Sequence, residues 1–137
     1  MNGPILSILV VNWNTEELLR NCLISIYEDP ASAVWEVIVV DNNSDDGSLA
    51  MLERDFPQVV PVASRENTGF VRGNYLALEK ARGRYLLLLN TDTEVDCGAL
   101  EPLVDFMIAH PEAGAVGPKL LNRDGSLQLS CGISPSL

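Results

Sequence analysis

The chain has 137 residues, 47% of them hydrophobic, and a formal net charge of −10. That length and apolar fraction suit one ordered domain, residues 1–137, with its own core. The negative charge argues against nucleic acid and anionic membrane surfaces as partners. A small phosphorylated ligand remains compatible with it if a divalent cation supplies positive charge.

The three cysteines, Cys22, Cys97 and Cys131, match no zinc ribbon or redox pair. They are expected to be buried small hydrophobes in a reducing compartment. A single histidine, His110, excludes a His-based metal site. No basic leader precedes the first apolar run, and no run reaches the length of a membrane span. The expected location is therefore cytoplasmic.

Residues 5–11 are apolar apart from Ser7 and read as a buried strand. Thr15 is placed to cap a helix whose first turn carries Glu16 and Glu17, where the helix dipole favours acids. Leu18, Leu19, Cys22, Leu23 and Ile26 then recur at helical spacing. Residues 35–40 form a second strand, ending in a run of turn formers from Asp41 to Gly47. A helix follows with Leu49, Leu52 and Phe56 inward and Pro57 as its stop. Residues 59–63 make a short third strand. After a polar loop at 64–68, residues 70–81 read as a helix closed by Gly83 at its C-cap.

Residues 85–89 are unbroken apolar sequence, as in a central parallel strand. A helix over 99–109 is expected to bury Leu100, Leu103, Val104, Met107 and Ile108, with Pro102 tolerated in the first turn. Residues 115–121 read as a fifth strand. Asn122-Arg-Asp-Gly125 reads as a hairpin turn, with 127–130 returning. The alternation predicts an α/β fold with a mostly parallel sheet and helices on both faces.

In such sheets ligands bind at the carboxyl ends of the strands. Every one of those ends is polar here: Asn12, Trp13 and Asn14; Asp41, Asn42 and Asn43; Arg65, Asn67 and Gly69; Asn90, Asp92 and Glu94. Asp92 follows a run of four leucines, where a carboxylate is costly unless paired or solvated. Mg²⁺ or Mn²⁺, held by one or two carboxylates plus substrate phosphates, would pair it. A helix-capping or turn role accounts for it equally well. Asp41, taken alone, is most simply a turn residue. A glycine at position 69 lets backbone approach a ligand. Neither G-x-G-x-x-G nor G-x-x-x-x-G-K-[ST] occurs, which disfavours dinucleotide and P-loop readings.

Four pieces in order carry a family resemblance. They are Ser7-Ile-Leu-Val-Val-Asn-Trp-Asn14, Glu36-Val-Ile-Val-Val-Asp-Asn-Asn-Ser-Asp-Asp-Gly-Ser48, Glu66-Asn-Thr-Gly-Phe-Val-Arg-Gly-Asn74 and Ala81-Arg-Gly-Arg-Tyr-Leu-Leu-Leu-Leu-Asn-Thr-Asp92. Together they resemble the N-terminal part of the family 2 glycosyltransferases, which have the Rossmann-like GT-A fold. The resemblance runs from Leu6 to Leu137. Gly117-Pro-Lys-Leu and Asp124-Gly-Ser-Leu-Gln128 are similar to a rhamnosyltransferase-like branch.

The resemblance implies transfer of a sugar, with inversion, from a nucleotide-diphosphate donor to a saccharide or lipid-linked acceptor hydroxyl. It implies nucleotide contacts at Val11, Asn12, Trp13, Asn14, Asp41, Asn43, Asn67, Gly69, Asn74, Asn90 and Thr91, with Asp41 accepting from the base. Asp92 corresponds to the last Asp of the family's D-x-D motif and implies a bound Mn²⁺ or Mg²⁺. Asn90 replaces the first Asp, so it orients ligands without adding charge. Tyr75 stands where relatives often carry Asn.

Nothing after Leu121 supplies a matching acidic motif, so the catalytic base is expected beyond Leu137. The chain is thus expected to be a truncated, donor-binding part without its acceptor half. Such a part would expose apolar surface and self-associate. The branch resemblance implies cell-envelope polysaccharide or O-antigen synthesis, with the intact parent peripheral to the inner membrane face. Two alternatives are a nucleotide-binding module without catalysis and a sugar nucleotidyltransferase. The latter class should carry a glycine-rich basic segment after its first strand, which residues 12–17 lack.

Overall fold

The computed structural model describes residues 3–129. Residues up to Leu100 form one compact unit, and those from Glu101 a second. In the first, β1 (Leu6–Asn12), β2 (Trp35–Asp41), β3 (Val60–Ala63) and β4 (Tyr85–Asn90) make a parallel sheet in the order β3-β2-β1-β4. Between the strands come α1 (Glu16–Tyr27), a 3₁₀ turn (Pro30–Val34), α2 (Ser48–Asp55) and α3 (Gly69–Leu78). Consecutive parallel strands need crossovers, and the helices supply them. The chain builds outward from β1 to β3, then returns through α3 to place β4 on the other side of β1. The strand order therefore reverses between β1 and β4, which is where such folds open a crevice.

Side chains alternate across a strand, so each of β1 and β2 buries two apolar rows. Leu9, Ile38 and Val40 pack with Ala77 of α3, and Val60 and Val62 join them. A Cβ on Gly73 would lie 2.7 Å from a Val11 methyl, so the glycine lets α3 lie close against β1. The opposite row, Ile8, Val10, Val37 and Val39, is equally buried, as are Leu19, Leu23 and Ile26 of α1 and Met51 and Leu52 of α2. α1 and α2 meet through the Arg20–Asp55 ion pair and a Tyr27–Phe56 ring contact at 6.2 Å.

Several expectations need correction. Thr15 stands at the N-cap of α1 but makes no side-chain cap hydrogen bond, because its hydroxyl is used elsewhere. Leu18 is exposed, and the fully buried Met51 escaped the pattern. Helix α3 ends at Leu78 with Glu79, not Gly83, at its C-cap. Gly83 instead abuts β1: a Cβ there would lie 2.5 Å from the Ser7 amide nitrogen. β4 is not a central strand among the described residues but an edge, with Leu86 49% and Leu88 60% exposed. Helix α3 covers β1 and β2 and leaves the β4 face open. A groove of about 380 Å³ remains there, lined by Leu9, Phe70, Tyr75, Leu78, Leu86 and Leu88 among others. Cys22 is buried as expected, Cys97 is exposed, and Cys131 lies outside the described residues.

The second unit contains α4 (Glu101–Ala109), with Pro102 in its first turn. Val104 is buried, but Ile108 is exposed. The expected strand at 115–121 is absent: a single antiparallel bridge joins Leu121 to Leu127. Pro118 lacks the N–H that a ladder needs. The turn between them is present, with Gly125 N–H donating to Asn122 O at 2.9 Å. Residue 130, the expected end of the returning segment, lies outside the described residues. No described helix is long and apolar enough to cross a membrane.

At the amino ends of the strands a buried carboxylate ties three segments together. Glu36 accepts from Ser7 Oγ at 2.5 Å, from the Arg82 and Gly83 amides, and from Arg82 Nε at 3.1 Å. Burial opposes its ionisation, but the bonds from Ser7 and Arg82 outweigh this and hold its pKa below the usual carboxylate value. A lowered folded pKa gives stability that is full above the unfolded value of about 4.3 and is lost as pH falls through the folded value.

Glu36→Gln is therefore expected to cost about 1–3 kcal/mol at neutral pH by urea unfolding. The deficit should shrink once acid protonates the wild-type carboxyl; a deficit constant down to pH 3 would contradict the assignment. Gly83→Ala forces a methyl into the β1 backbone and should cost about 1–3 kcal/mol. Gly114→Ala, with nothing within 4 Å and an ordinary φ, should be near neutral. Equal urea midpoints for these two glycine variants would refute the close approach.

Candidate functional site

The carboxyl ends of the four strands are joined by side-chain hydrogen bonds. Asn12 and Asp41 are register partners at the tips of β1 and β2, and both are fully buried. Asn12 Nδ2 donates to Asp41 Oδ1 at 2.9 Å and to Ser44 Oγ at 3.2 Å. The second Asp41 oxygen accepts from the Ser44 amide at 2.9 Å. On the other side, Asn12 Oδ1 accepts from Thr15 Oγ1 at 2.8 Å, and Thr15 lies 3.1 Å from Thr91 Oγ1 beyond β4. One line of polar atoms thus runs from the β4 end to the turn after β2.

The turn after β2 is locked to the loop after β1. Asn14 N–H donates to Ser44 Oγ, and Asn14 Oδ1 accepts from the Asp45 amide, both at 2.9 Å. Asn14 and Asn43 are the non-glycine residues with positive φ among the described residues, at 52° and 65°. Asparagine tolerates that conformation better than most residues, and such backbone tends to collect at functional sites. Asp46 accepts from the Glu16 amide at the start of α1 and from Ser48 at the start of α2. Burial opposes its charge, but these bonds keep its pKa below the usual value.

Asn42 organises the third segment. Its Nδ2 donates to Gly69 O at 3.2 Å, and its Oδ1 accepts from the Thr68 amide and hydroxyl. Asn67 Oδ1 accepts from the Gly69 amide, and Asn74 Nδ2 donates to Phe70 O. Gly69 has φ of 78° and open space where a Cβ would stand, so its backbone is approachable from outside. Val11 is half-buried beside Gly73, and Trp13 is 55% exposed just beyond β1.

The fourth segment carries the exposed acids. Asn90, Asp92 and Glu94 are exposed and Thr91 is half-buried. Among the described residues the Asp92 side chain makes no hydrogen bond or ion pair, and no group of three or more His, Cys, Asp or Glu side chains is arranged to hold a metal ion. The segment is held from below by α1 and the residues after it: Ser25 Oγ accepts from the Val95 amide, and Asp29 Oδ2 accepts from the Gly98 amide. Cys22 Sγ lies 3.8 Å from Asn90 O. Burial, then the charges of Asp92 and Glu94, push its thiol up to about 12, so it stays protonated and is no nucleophile at neutral pH.

The structure thus brings Asn12, Asn14, Asp41 and Thr91 into one network and, among the described residues, leaves Asp92 without a partner beside it. Thr15, Asn42, Ser44 and Asp46 are the residues that sequence reading undervalued. Thr15, Ser44 and Asp46 appeared only as capping and turn formers and Asn42 only as a polar strand-end residue, and each of the four has a partner more than 25 positions away in the chain.

Known proteins resemble this chain in sequence and in fold. Residues 7–129 match the family described as glycosyl transferase family 2. A putative teichuronic acid biosynthesis glycosyltransferase, TuaG of Bacillus subtilis (strain 168), is 29% identical over 127 residues, which cover 90% of this chain and 50% of TuaG. The O-antigen biosynthesis protein RfbC of Myxococcus xanthus is 35% identical over 128 residues, 91% of this chain and 10% of RfbC. The chain therefore spans half or less of the length of these relatives. Among solved structures, S. aureus TarS 1–349 has the same fold, with a TM-score of 0.70 at 24% identity over 77% of this chain and 33% of that one. The mannosyltransferase PcManGT of Pyrobaculum calidifontis, solved with GDP-Man and Mn²⁺, gives a TM-score of 0.70 at 25% identity, over 77% of this chain and 32% of that one. With a family match over nearly all its residues and a GT-A sheet to carry them, the chain belongs to glycosyl transferase family 2.

Proposed function

We propose that this chain forms the donor-binding part of a glycosyltransferase. It would hold a nucleotide-diphosphate sugar across the strand ends for metal-assisted transfer, with inversion, to an acceptor hydroxyl. The observation that carries the reading is the contrast between its two central carboxylates. Asp41 is buried with both oxygens bonded, whereas Asp92 is exposed with its oxygens unspent among the described residues. A free carboxylate on a supported loop, in a chain of net charge −10, suits a cation shared with donor phosphates. The ligands in the PcManGT structure belong to the classes proposed here.

The roles follow from exposure and bonding. Trp13 offers an exposed aromatic ring to the base. Asn43, Asn67 and Asn74 offer polar groups around the nucleotide, and Gly69 lets backbone approach it. Val11 backs the site and Asn14 fixes the turn that carries Asn43. Direct acceptance of a base N–H by Asp41 requires the Ser44 turn to shift, since the carboxylate is fully covered. Asp92 would hold Mn²⁺ or Mg²⁺, with Asn90 and Thr91 beside it, and the bound cation would offset charge on the diphosphate leaving group. The saccharide or lipid-linked acceptor and a place in envelope polysaccharide synthesis belong to the same proposal.

Thermal unfolding with UDP, TDP, GDP and CDP, each with and without Mn²⁺, tests the reading. A ligand at a hundred times its Kd stabilises by about 2.7 kcal/mol, a rise in Tm of roughly 10 °C for a chain of this size. The expected result is such a rise with one nucleotide, dependent on Mn²⁺ and lost in Asp92→Ala. A folded chain that shifts with none of them would refute the donor-site reading.

The open β4 face supports one further expectation, self-association. Sedimentation at increasing concentration should show species heavier than a monomer, and Leu88→Lys should reduce them. A monodisperse wild-type monomer at high concentration would overturn this.

A further inference from the structure

The polar line across the strand ends has a direction that follows from donor and acceptor chemistry alone. Asn12 Oδ1 is only an acceptor, so the Thr15 hydroxyl must give it its single proton across 2.8 Å. Thr15 then has only lone pairs left, so the 3.1 Å contact with Thr91 requires Thr91 Oγ1–H to donate to Thr15. Asn12 in turn spends its two amide protons on Asp41 Oδ1 and Ser44 Oγ. Each proton therefore points away from β4 and toward Asp41 and its turn. The buried Asp41 carboxylate, an obligate acceptor when ionised, fixes the sense of the chain at one end. Thr91, the neighbour of Asp92, is its outer donor.

The loop bearing Asp92 is bracketed by two hydroxyls from the α1 side. Ser25 holds it at Val95, and Thr15 holds it at Thr91. Their reach differs. Among the described residues Ser25 bonds otherwise only to Cys22 O within its own helix, whereas Thr15 also bonds Asn12 and through it Asp41. At its backbone Thr15 is the first residue of the α1 ladder, accepting from the Leu19 amide at 2.9 Å. The Glu16 amide, which a capping threonine could not serve here, is met by Asp46. The Thr15 hydroxyl makes no capping bond and is committed to the link between strands.

We propose that Thr15 is a positioning residue that couples the two halves of the donor site. It sets the Asn90–Asp92 segment relative to the Asp41 end, so that the cation and the nucleotide base are bound in register. This rests on the donor-site reading above. Thr15 touches neither ligand. Its effect is expected in the mutual reinforcement of metal and nucleotide binding, not in the binding of either alone.

The test compares wild type, Thr15→Val, Thr15→Ser and Ser25→Ala. Affinity for the nucleotide that stabilises the wild type is measured by calorimetry with and without Mn²⁺. Thr15→Val keeps the shape and removes the hydroxyl. It should cut the Mn²⁺-dependent gain in affinity by about threefold to tenfold, the effect of one hydrogen bond, while affinity without Mn²⁺ holds. Thr15→Ser should restore the gain. Ser25→Ala should leave it less affected than Thr15→Val does.

Amide exchange supplies a second readout that needs no ligand. The Thr93 amide, bonded to Asn90 O, should exchange faster in Thr15→Val than in wild type or Thr15→Ser. If folded Thr15→Val keeps the full metal-dependent gain and wild-type exchange at Thr93, the positioning role is wrong and the donor site stands. If affinity falls equally with and without Mn²⁺, the residue is merely structural, which also overturns the inference. If the wild type binds no nucleotide with any metal, the donor-site reading fails and this inference fails with it.

Discussion

The buried pair of Asn12 and Asp41 is the constraint on which the site depends. Two polar side chains at adjacent strand tips, both shut off from solvent, must satisfy each other or leave costly unpaired groups. Their pairing consumes one Asn12 proton and one Asp41 oxygen, and what remains is taken by Ser44 and Thr15. The turn after β2 and the loop after β1 are thereby fixed to each other. Register enforces this arrangement: with β1 and β2 parallel, Asn12 stands opposite Asp41, and a slip of one strand by one residue would turn one of the two side chains away from the other.

Seen from that pair, the two ends of the sheet do different work. At the amino end Glu36 gathers Ser7, Arg82 and Gly83 around a buried carboxylate that is spent on holding the strands together. At the carboxyl end the same kind of economy holds the backbone but leaves Asp92, Asn43 and Trp13 exposed. Rigid support beneath and unspent groups above is what a binding site requires. α1 serves both sides of this division. Its inner face enters the core through Leu19, Leu23 and Ile26, while Thr15 and Ser25 hold the loop that carries Asp92.

The open face of β4 leaves large apolar side chains, Leu86 and Leu88, without cover. Helix α3 is drawn to β1 and β2 by the close fit of Gly73 on Val11 and of Ala77 in the core. It therefore does not lie over Leu86 and Leu88. A run of leucines announces burial, but burial is a property of neighbours, and periodicity in one strand says nothing about which helix lies above it. The same limit applies to residues 115–121, where apolar composition suggested a strand. A proline and the absence of a paired neighbour leave a single bridge.

The sequence by itself determined the alternation of strands and helices, the parallel sheet, and the polar character of every strand end. Those properties are local: apolar runs, helical spacing and turn formers act within a few residues. It also placed Asn12, Asp41 and Asp92 at the strand ends, because each stands at or within three residues of the end of an apolar run. Only the tertiary structure decided which of them are spent and which are free. Asp41 and Asp92 look alike in the sequence, yet one is buried between Asn12 and Ser44 and the other is left open. Thr15 and Asp46 read locally as a cap and a turn former. The fold gives Asp46 both helix starts and frees Thr15 for Asn12 and Thr91. Such exchanges depend on atoms brought within hydrogen-bond reach by strand order and crossover, a proximity that chain separation does not encode.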